Sequence, residues 1–181
     1  MWVGNSGGAL RLPFPRRLRP PQGGDAGREF AFLRHRFTPR SVFMDIGSAP
    51  NGEMSALALR AANYVELVYA VDVSGRFLQS VLVPLNMRLV LSDGVHIAVP
   101  EASVDVAFSG RFLEQLPAAH RLEHLKSVRR ALAPGGVYFS ASPAPFLEAG
   151  FTSVRCYASG VRIPMAFANL FPQAMLRYAA L

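Results

Sequence analysis

Three acids stand where a nucleoside could be held: Asp45, Asp72 and Asp93. Each lies at or beside the end of a short apolar run. After the first comes a glycine-bearing turn, Gly47-Ser48-Ala49-Pro50-Asn51-Gly52. A glycine turn that leaves a strand and opens a helix lets a ligand approach the backbone closely. An acid at the tip of the next strand can accept hydrogen bonds from both hydroxyls of a ribose. These residues suit the binding of a nucleoside-containing cofactor at the carboxyl ends of parallel strands. One candidate is a dinucleotide. The turn can be forced onto the G-x-G-x-x-G fingerprint, with Asp72 about 20 residues on. Ala49 then replaces the second glycine, where a methyl group obstructs a pyrophosphate. A nicotinamide-dependent oxidoreductase is what that reading implies.

The other candidate is S-adenosylmethionine. The run Asp45-Ile46-Gly47-Ser48-Ala49-Pro50 resembles the first motif of class I S-adenosylmethionine-dependent methyltransferases, a D-x-G-x-G-x-G pattern. Four later landmarks follow in order. Ser92-Asp93-Gly94 closes a third apolar run. Val104-Asp105-Val106-Ala107-Phe108-Ser109 precedes Phe112-Leu113-Glu114-Gln115-Leu116. Arg129-Arg130-Ala131-Leu132-Ala133-Pro134-Gly135-Gly136 is similar to the family's R-x-L-x-P-G-G turn. Phe146-Leu147-Glu148-Ala149-Gly150-Phe151 is similar to its L-x-x-A-G-F entry into the sixth strand. The resemblance covers residues 28–158 and points to the small-molecule branch of the family.

The resemblance implies a role for each residue. Gly47, Ser48 and Ala49 line the methionine end of the cofactor, with Gly52 completing the turn. Asp45 helps to hold the amino group. Asp72 binds the ribose diol, and Val73 packs on the adenine face. Asp93 and Gly94 meet the adenine edge. Ser109 and Gly110 lie beside the sulfonium, where the acceptor sits. S-adenosylhomocysteine would be the product. The departures are Ala49 and Asn51 at the family's second and third glycines, and Gln115 where many relatives carry His. Asn51 tolerates positive φ and can still make the turn, whereas Gln115 offers no general base. These departures, with a short acceptor region, support the alternative of a catalytically inactive binding or scaffold protein.

The elements that must position these residues alternate along the chain. A short helix over 28–37 leads into a strand at 42–46. There follow a helix 53–63, strand 67–72, helix 75–82, strand 87–91, strand 104–109, helix 118–132, strand 137–141, short helix 145–149 and strand 152–158. Strands alternating with helices predict an α/β fold with a mostly parallel sheet and helices on both faces. With the resemblance, this becomes a doubly wound, seven-strand-type, Rossmann-like methyltransferase fold. Right-handed crossovers put the cofactor-binding strand ends on one edge. The acid-free tail, 161–181, is expected to supply a closing strand or pack on the sheet, with a homodimer contact as the alternative.

Composition limits the rest. A chain of 181 residues with 51% hydrophobic side chains can form one globular domain. Residues 1–40 carry eight Arg against Asp25 and Glu29, so most of the net charge of +7 sits there. Residues 1–27 are expected to form a flexible basic Pro/Gly/Arg-rich arm, and 28–181 the methyltransferase-like domain. The arm reads most simply as solvated. A tether to nucleic acid or anionic lipid is its functional reading. Prolines and arginines interrupt any secretory apolar core. No apolar stretch is long and unbroken enough for a membrane span. Cys156, the single cysteine, suits a reducing compartment and a structural role, so a cytoplasmic location is expected.

Side chains for the chemical step are few. Methyl transfer from a sulfonium needs mainly proximity and alignment. A base helps only if the acceptor keeps a proton. His96, Glu114 and His120 are the candidates, and Arg111 could orient an acidic substrate. A solvated or structural role is the simpler reading of each, and no catalytic residue is assigned. Asp105 and Glu101 read as surface turn residues. His120-Arg121-Leu122-Glu123-His124 matches the H-x-x-E-H zinc motif, but only Glu148 follows as a carboxylate ligand, so a polar helix face is the better account and no metal is expected. Ser109-Gly110-Arg111-Phe112 does not resemble the Asn/Asp-Pro-Pro-aromatic loop of base-methylating families. Ser109 and Ser142 stand where metal-assisted catechol-type methylation wants acids. A small-molecule acceptor is the default.

Overall fold

The computed structural model describes residues 25–49, 54–79, 83–110, 112–170 and 176–181. Among these, eight strands form one sheet: β1 (Val42–Ile46), β2 (Leu67–Asp72), β3 (Met87–Leu91), β4 (Val104–Ser109), β5 (Leu132–Ser140), β6 (Val154–Ala158), β7 (Val161–Ile163) and β8 (Leu176–Ala180). Their spatial order is β3-β2-β1-β4-β5-β8-β6-β7. The first five run parallel, and β8 and β6 add antiparallel pairs. The order reverses between β1 and β4, which opens a crevice at their carboxyl ends.

Side-chain alternation along the strands feeds two cores. Met44, Ile46, Val71, Ala107 and Tyr138 face one side and pack with Leu125 and Val128 of α4 (Ala118–Ala131). Phe43, Val68, Val106 and Phe139 face the other, against Leu33 of α1 (Asp25–Leu33) and Leu57 and Ala58 of α2 (Ala56–Ala61). Asp45 follows Met44 and so falls on the α1–α2 face, where only 3% of it is exposed.

The sheet is as expected for the doubly wound fold, with one strand more. The tail does close it: β8 inserts between β5 and β6, and β7 pairs with β6 at the edge. Several helices are shorter than their sequence suggests. The first is α-helical to Leu33 and 3-10 over Arg34–Arg36. Helix α2 starts at Ala56 because the Ser55 hydroxyl accepts from the N–H groups of Leu57 (3.1 Å) and Ala58 (3.3 Å). Gly75–Gln79 is a 3-10 turn. Residues 145–149 make turns rather than a helix: a single bond from Ala149 N–H to the Pro145 carbonyl closes one turn, and Gly150 then reverses the chain at φ +91°. Strand β5 begins at Leu132 and absorbs the Pro-Gly-Gly turn as a register shift against β4. The proposed arm over 1–27 lies almost wholly outside the described residues.

Candidate active site

The chain leaving β1 is pinned to the end of β2. Gly47 takes φ +77°, and the N–H groups of Gly47 and Ser48 both donate to the carbonyl of Val71, at 2.9 and 3.0 Å. The next N–H, from Ala49, donates to Asp72 Oδ2 at 2.8 Å, while Ser74 N–H donates to Asp72 Oδ1 at 2.8 Å. Asp72 is thus the knot that ties the glycine turn to the tip of β2, and it is buried. Gly52, with Pro50 and Asn51, lies outside the described residues.

Asp45 sits below this knot. Burial in the apolar face pushes its carboxyl from 3.8 up to about 7, against the opposing hydrogen bonds of the Ser55 and Ser48 hydroxyls. Ser48 Oγ donates to Asp45 Oδ2 at 3.1 Å. Ser55 therefore serves twice, capping α2 and solvating the acid. Glycine counting alone gives no hint of it.

The β3 end is built differently. Asp93 Oδ1 accepts from the N–H groups of Val95 (2.7 Å) and His96 (2.6 Å), and Oδ2 meets His96 Nδ1 at 2.8 Å. The His96 ring, with these two N–H groups, holds the Asp93 carboxyl far below its ordinary value. This acid folds back on its own exposed turn. Gly94 takes φ +85°, donates to Ser92 Oγ, and accepts from His124 Nδ1 at 2.8 Å. A Cβ on Gly94 would stand 3.3 Å from Val73 Cγ1, so Val73 and Gly94 do come together.

At the β4 end, Ser109 is buried and its hydroxyl is bonded to the Tyr138 phenol at 2.6 Å. Burial raises that phenol to about 12. Gly110 follows, with ordinary space around it. Helix α3 (Phe112–Gln115) then turns Phe112 and Leu113 inward. Its Glu114 accepts from Ser142 Oγ at 2.7 Å, linking the ends of β4 and β5. Of the other candidate bases, His96 is held by Asp93 and His120 is exposed. Arg111 lies outside the described residues.

The H-x-x-E-H stretch is divided by its surroundings. His124 is fully buried on Gly94, Glu123 pairs with Lys126 at 2.9 Å, and His120 faces solvent. Burial drives the His124 imidazole down to about 4, and its Nε2 has no partner among the described residues. Cys156 is a buried free thiol in β6, raised above its usual value by burial.

Residues 44–140, more than half of the chain, match the family model of the methyltransferase domain, and the chain belongs to that family. It is a class I, Rossmann-like methyltransferase domain, and S-adenosylmethionine is the cofactor of the class. No curated protein matches the chain in sequence. Solved structures share its fold at low identity. A protein of Anabaena variabilis, assigned as a methyltransferase from an antibiotic biosynthesis pathway, is 20% identical with a TM-score of 0.54, over 69% of this chain and 47% of that one. An S-adenosylmethionine-dependent methyltransferase from Aquifex aeolicus is 16% identical with a TM-score of 0.57, over 84% and 87%. Phosphoethanolamine N-methyltransferase 1 of Haemonchus contortus, solved with phosphoethanolamine and S-adenosylhomocysteine, is 19% identical with a TM-score of 0.53, over 64% and 25%. The chain spans about half the length of the Anabaena protein.

The strand-end frame fits the family's cofactor: a buried acid at the tip of β2, a positive-φ glycine turn after β1, and an apolar Val73 beside Gly94. The side chain of Phe112, which the sequence did not single out, spans the two turns of this frame. A Cβ on Gly47 would meet Phe112 Cδ2 at 3.3 Å, and one on Gly94 would meet Phe112 Cζ at 3.4 Å. Among the described residues, no helix is long and apolar enough to cross a membrane.

Proposed function

We propose that this chain transfers a methyl group from S-adenosylmethionine to a small-molecule acceptor in the cytoplasm. The observation that carries this reading is Asp72, buried at the tip of β2 and bonded to the glycine turn through Ala49 N–H. Each of its oxygens holds one backbone N–H and keeps lone-pair capacity for a ribose hydroxyl. In this reading Gly47, Ser48, Ala49 and Gly52 line the methionine end, and Asp45 supports the amino group through Ser48. Val73, Asp93 and Gly94 surround the adenine. The cofactor brings an already electrophilic methyl group. The chain's part is to align an acceptor at the ends of β4 and β5, near Ser109, Gly110 and Glu114. Glu114, fixed by Ser142, is the side chain best placed to orient a polar acceptor there. A fold neighbour that holds phosphoethanolamine with S-adenosylhomocysteine supports a small polar acceptor.

A second reading is a binding or scaffold protein of the same fold without catalysis. The ring of Phe112 over Gly47 and Gly94 favours it, as do Ala49, Asn51 and Gln115. Incubation with methyl-labelled donor and pooled small metabolites separates the two. Label transferred to a small product supports the enzyme; donor bound without transfer to any acceptor supports the scaffold.

A further inference from the structure

The geometry points to Phe112 as a gate on the cofactor cleft: its ring occupies the space between the β1 and β3 turns and must swing out before adenosine can enter. This inference rests on the cofactor reading above. The ring reaches from Gly47, 3.3 Å from the position of a Cβ there, to Gly94, where the corresponding distance is 3.4 Å. Gly47 is tied to the Val71 carbonyl and Gly94 is held between Ser92 Oγ and His124 Nδ1, so the ring is the movable part. Leu116 Cδ2 lies 3.2 Å from the same Gly94 position and closes the far side. The His124 ring backs Phe112 at 5.2 Å between centroids, and His124 is itself locked to Gly94. Phe112 is only 8% exposed.

The element that carries it is suited to movement. Helix α3 is a single turn of four residues, which has little stability of its own. Gly110 precedes it, and Pro117, at ψ 141°, separates it from α4. Leu113, 1% exposed, ties the turn to the core next to Phe112, which confines the motion to this turn and its ring. An adenine face then takes the place of the phenyl ring beside Gly94, where Val73 also lies. In the closed state Asp72 holds the N–H groups of Ala49 and Ser74, and Asp93 those of its own turn.

A closed gate lowers apparent affinity by the fraction of molecules that are open. Minor states of this kind hold roughly 0.1–10% of the population. Removing the ring should therefore tighten binding by about tenfold or more. The test is calorimetric titration of the full chain, wild type and Phe112→Ala, with S-adenosylhomocysteine, with circular dichroism to confirm folding. Phe112→Leu, which keeps apolar contact with the core, is titrated in parallel and stands in if the alanine variant does not fold. Tighter binding by the folded variants supports the gate, since mere loss of structure would weaken binding. Wild-type binding with equal or weaker binding by the variants overturns the gate and leaves the cofactor reading intact. No binding by any of the three overturns both.

Discussion

Asp45 and His124 lie on opposite faces of the sheet, and burial shifts each toward its neutral form. Their pH effects on stability oppose one another. The Asp45 carboxyl rises from 3.8 to about 7 on folding. The folded state then binds the proton more tightly, and stability falls as pH climbs from about 4 to about 7. The His124 imidazole drops from 6.5 to about 4. The unfolded state binds that proton more tightly, and stability falls as pH drops from about 6.5 to about 4. The wild-type protein should therefore show a shallow pH profile across this window. Asp45→Asn should lose stability on acidification, and His124→Gln should gain it. Melting temperatures of the three proteins between pH 5 and pH 8 give the check. Parallel profiles for all three would contradict these environments. The sequence offered Asp45 as a candidate but nothing of its state. That state depends on Phe43 sharing its face and on Ser55, ten positions away, reaching back to it.

At the scale of elements, β5 shows how a recognisable motif becomes geometry. Pro134-Gly135-Gly136 bulges within the strand, and the register against β4 jumps from Val104↔Leu132 to Val106↔Val137. Gly136 presses on its partner: a Cβ there would lie 2.7 Å from the Val104 carbonyl oxygen and 2.9 Å from that of Ala133. Both are backbone atoms and cannot turn aside. Gly136→Ala should cost roughly 3 kcal/mol, the upper end for overpacking, read from urea unfolding. A cost under about 0.5 kcal/mol, the range of ordinary surface changes, would contradict the packing. Parallel strands β1 to β4 were legible with their boundaries because each is a short apolar run ending in a turn residue. Helix lengths were less so. Ser55 caps α2 two positions after the expected start, and the chain reversal at Gly150 keeps 145–149 to turns. Phe112 was read as part of a landmark, since nothing local to α3 tells that its ring crosses two turns distant in sequence.

Across the whole molecule, the switch in strand order between β1 and β4 opens one crevice at the carboxyl ends of the strands. Asp45, Gly47, Asp72, Gly94 and Ser109 converge there from four strands. Their convergence was foreseeable from the alternation of strands and helices, because parallel strands carry their carboxyl ends to the same edge. What lies in the crevice was not foreseeable, because long-range contacts such as Phe112 to Gly47 carry no periodic signal. Basic residues concentrate in the segment before residue 41, and the strand-rich remainder is nearly neutral.

The central claim is that this edge holds S-adenosylmethionine. Thermal unfolding of the full chain without ligand, and with S-adenosylmethionine, S-adenosylhomocysteine or NAD at high concentration, tests it most directly. A ligand at 100 times its dissociation constant adds about 2.7 kcal/mol, which for a domain of this size is roughly 5–10 °C. The account predicts that upward shift with the methyl donor and its product, and none with NAD. A shift with NAD alone, or none with any ligand, would contradict it.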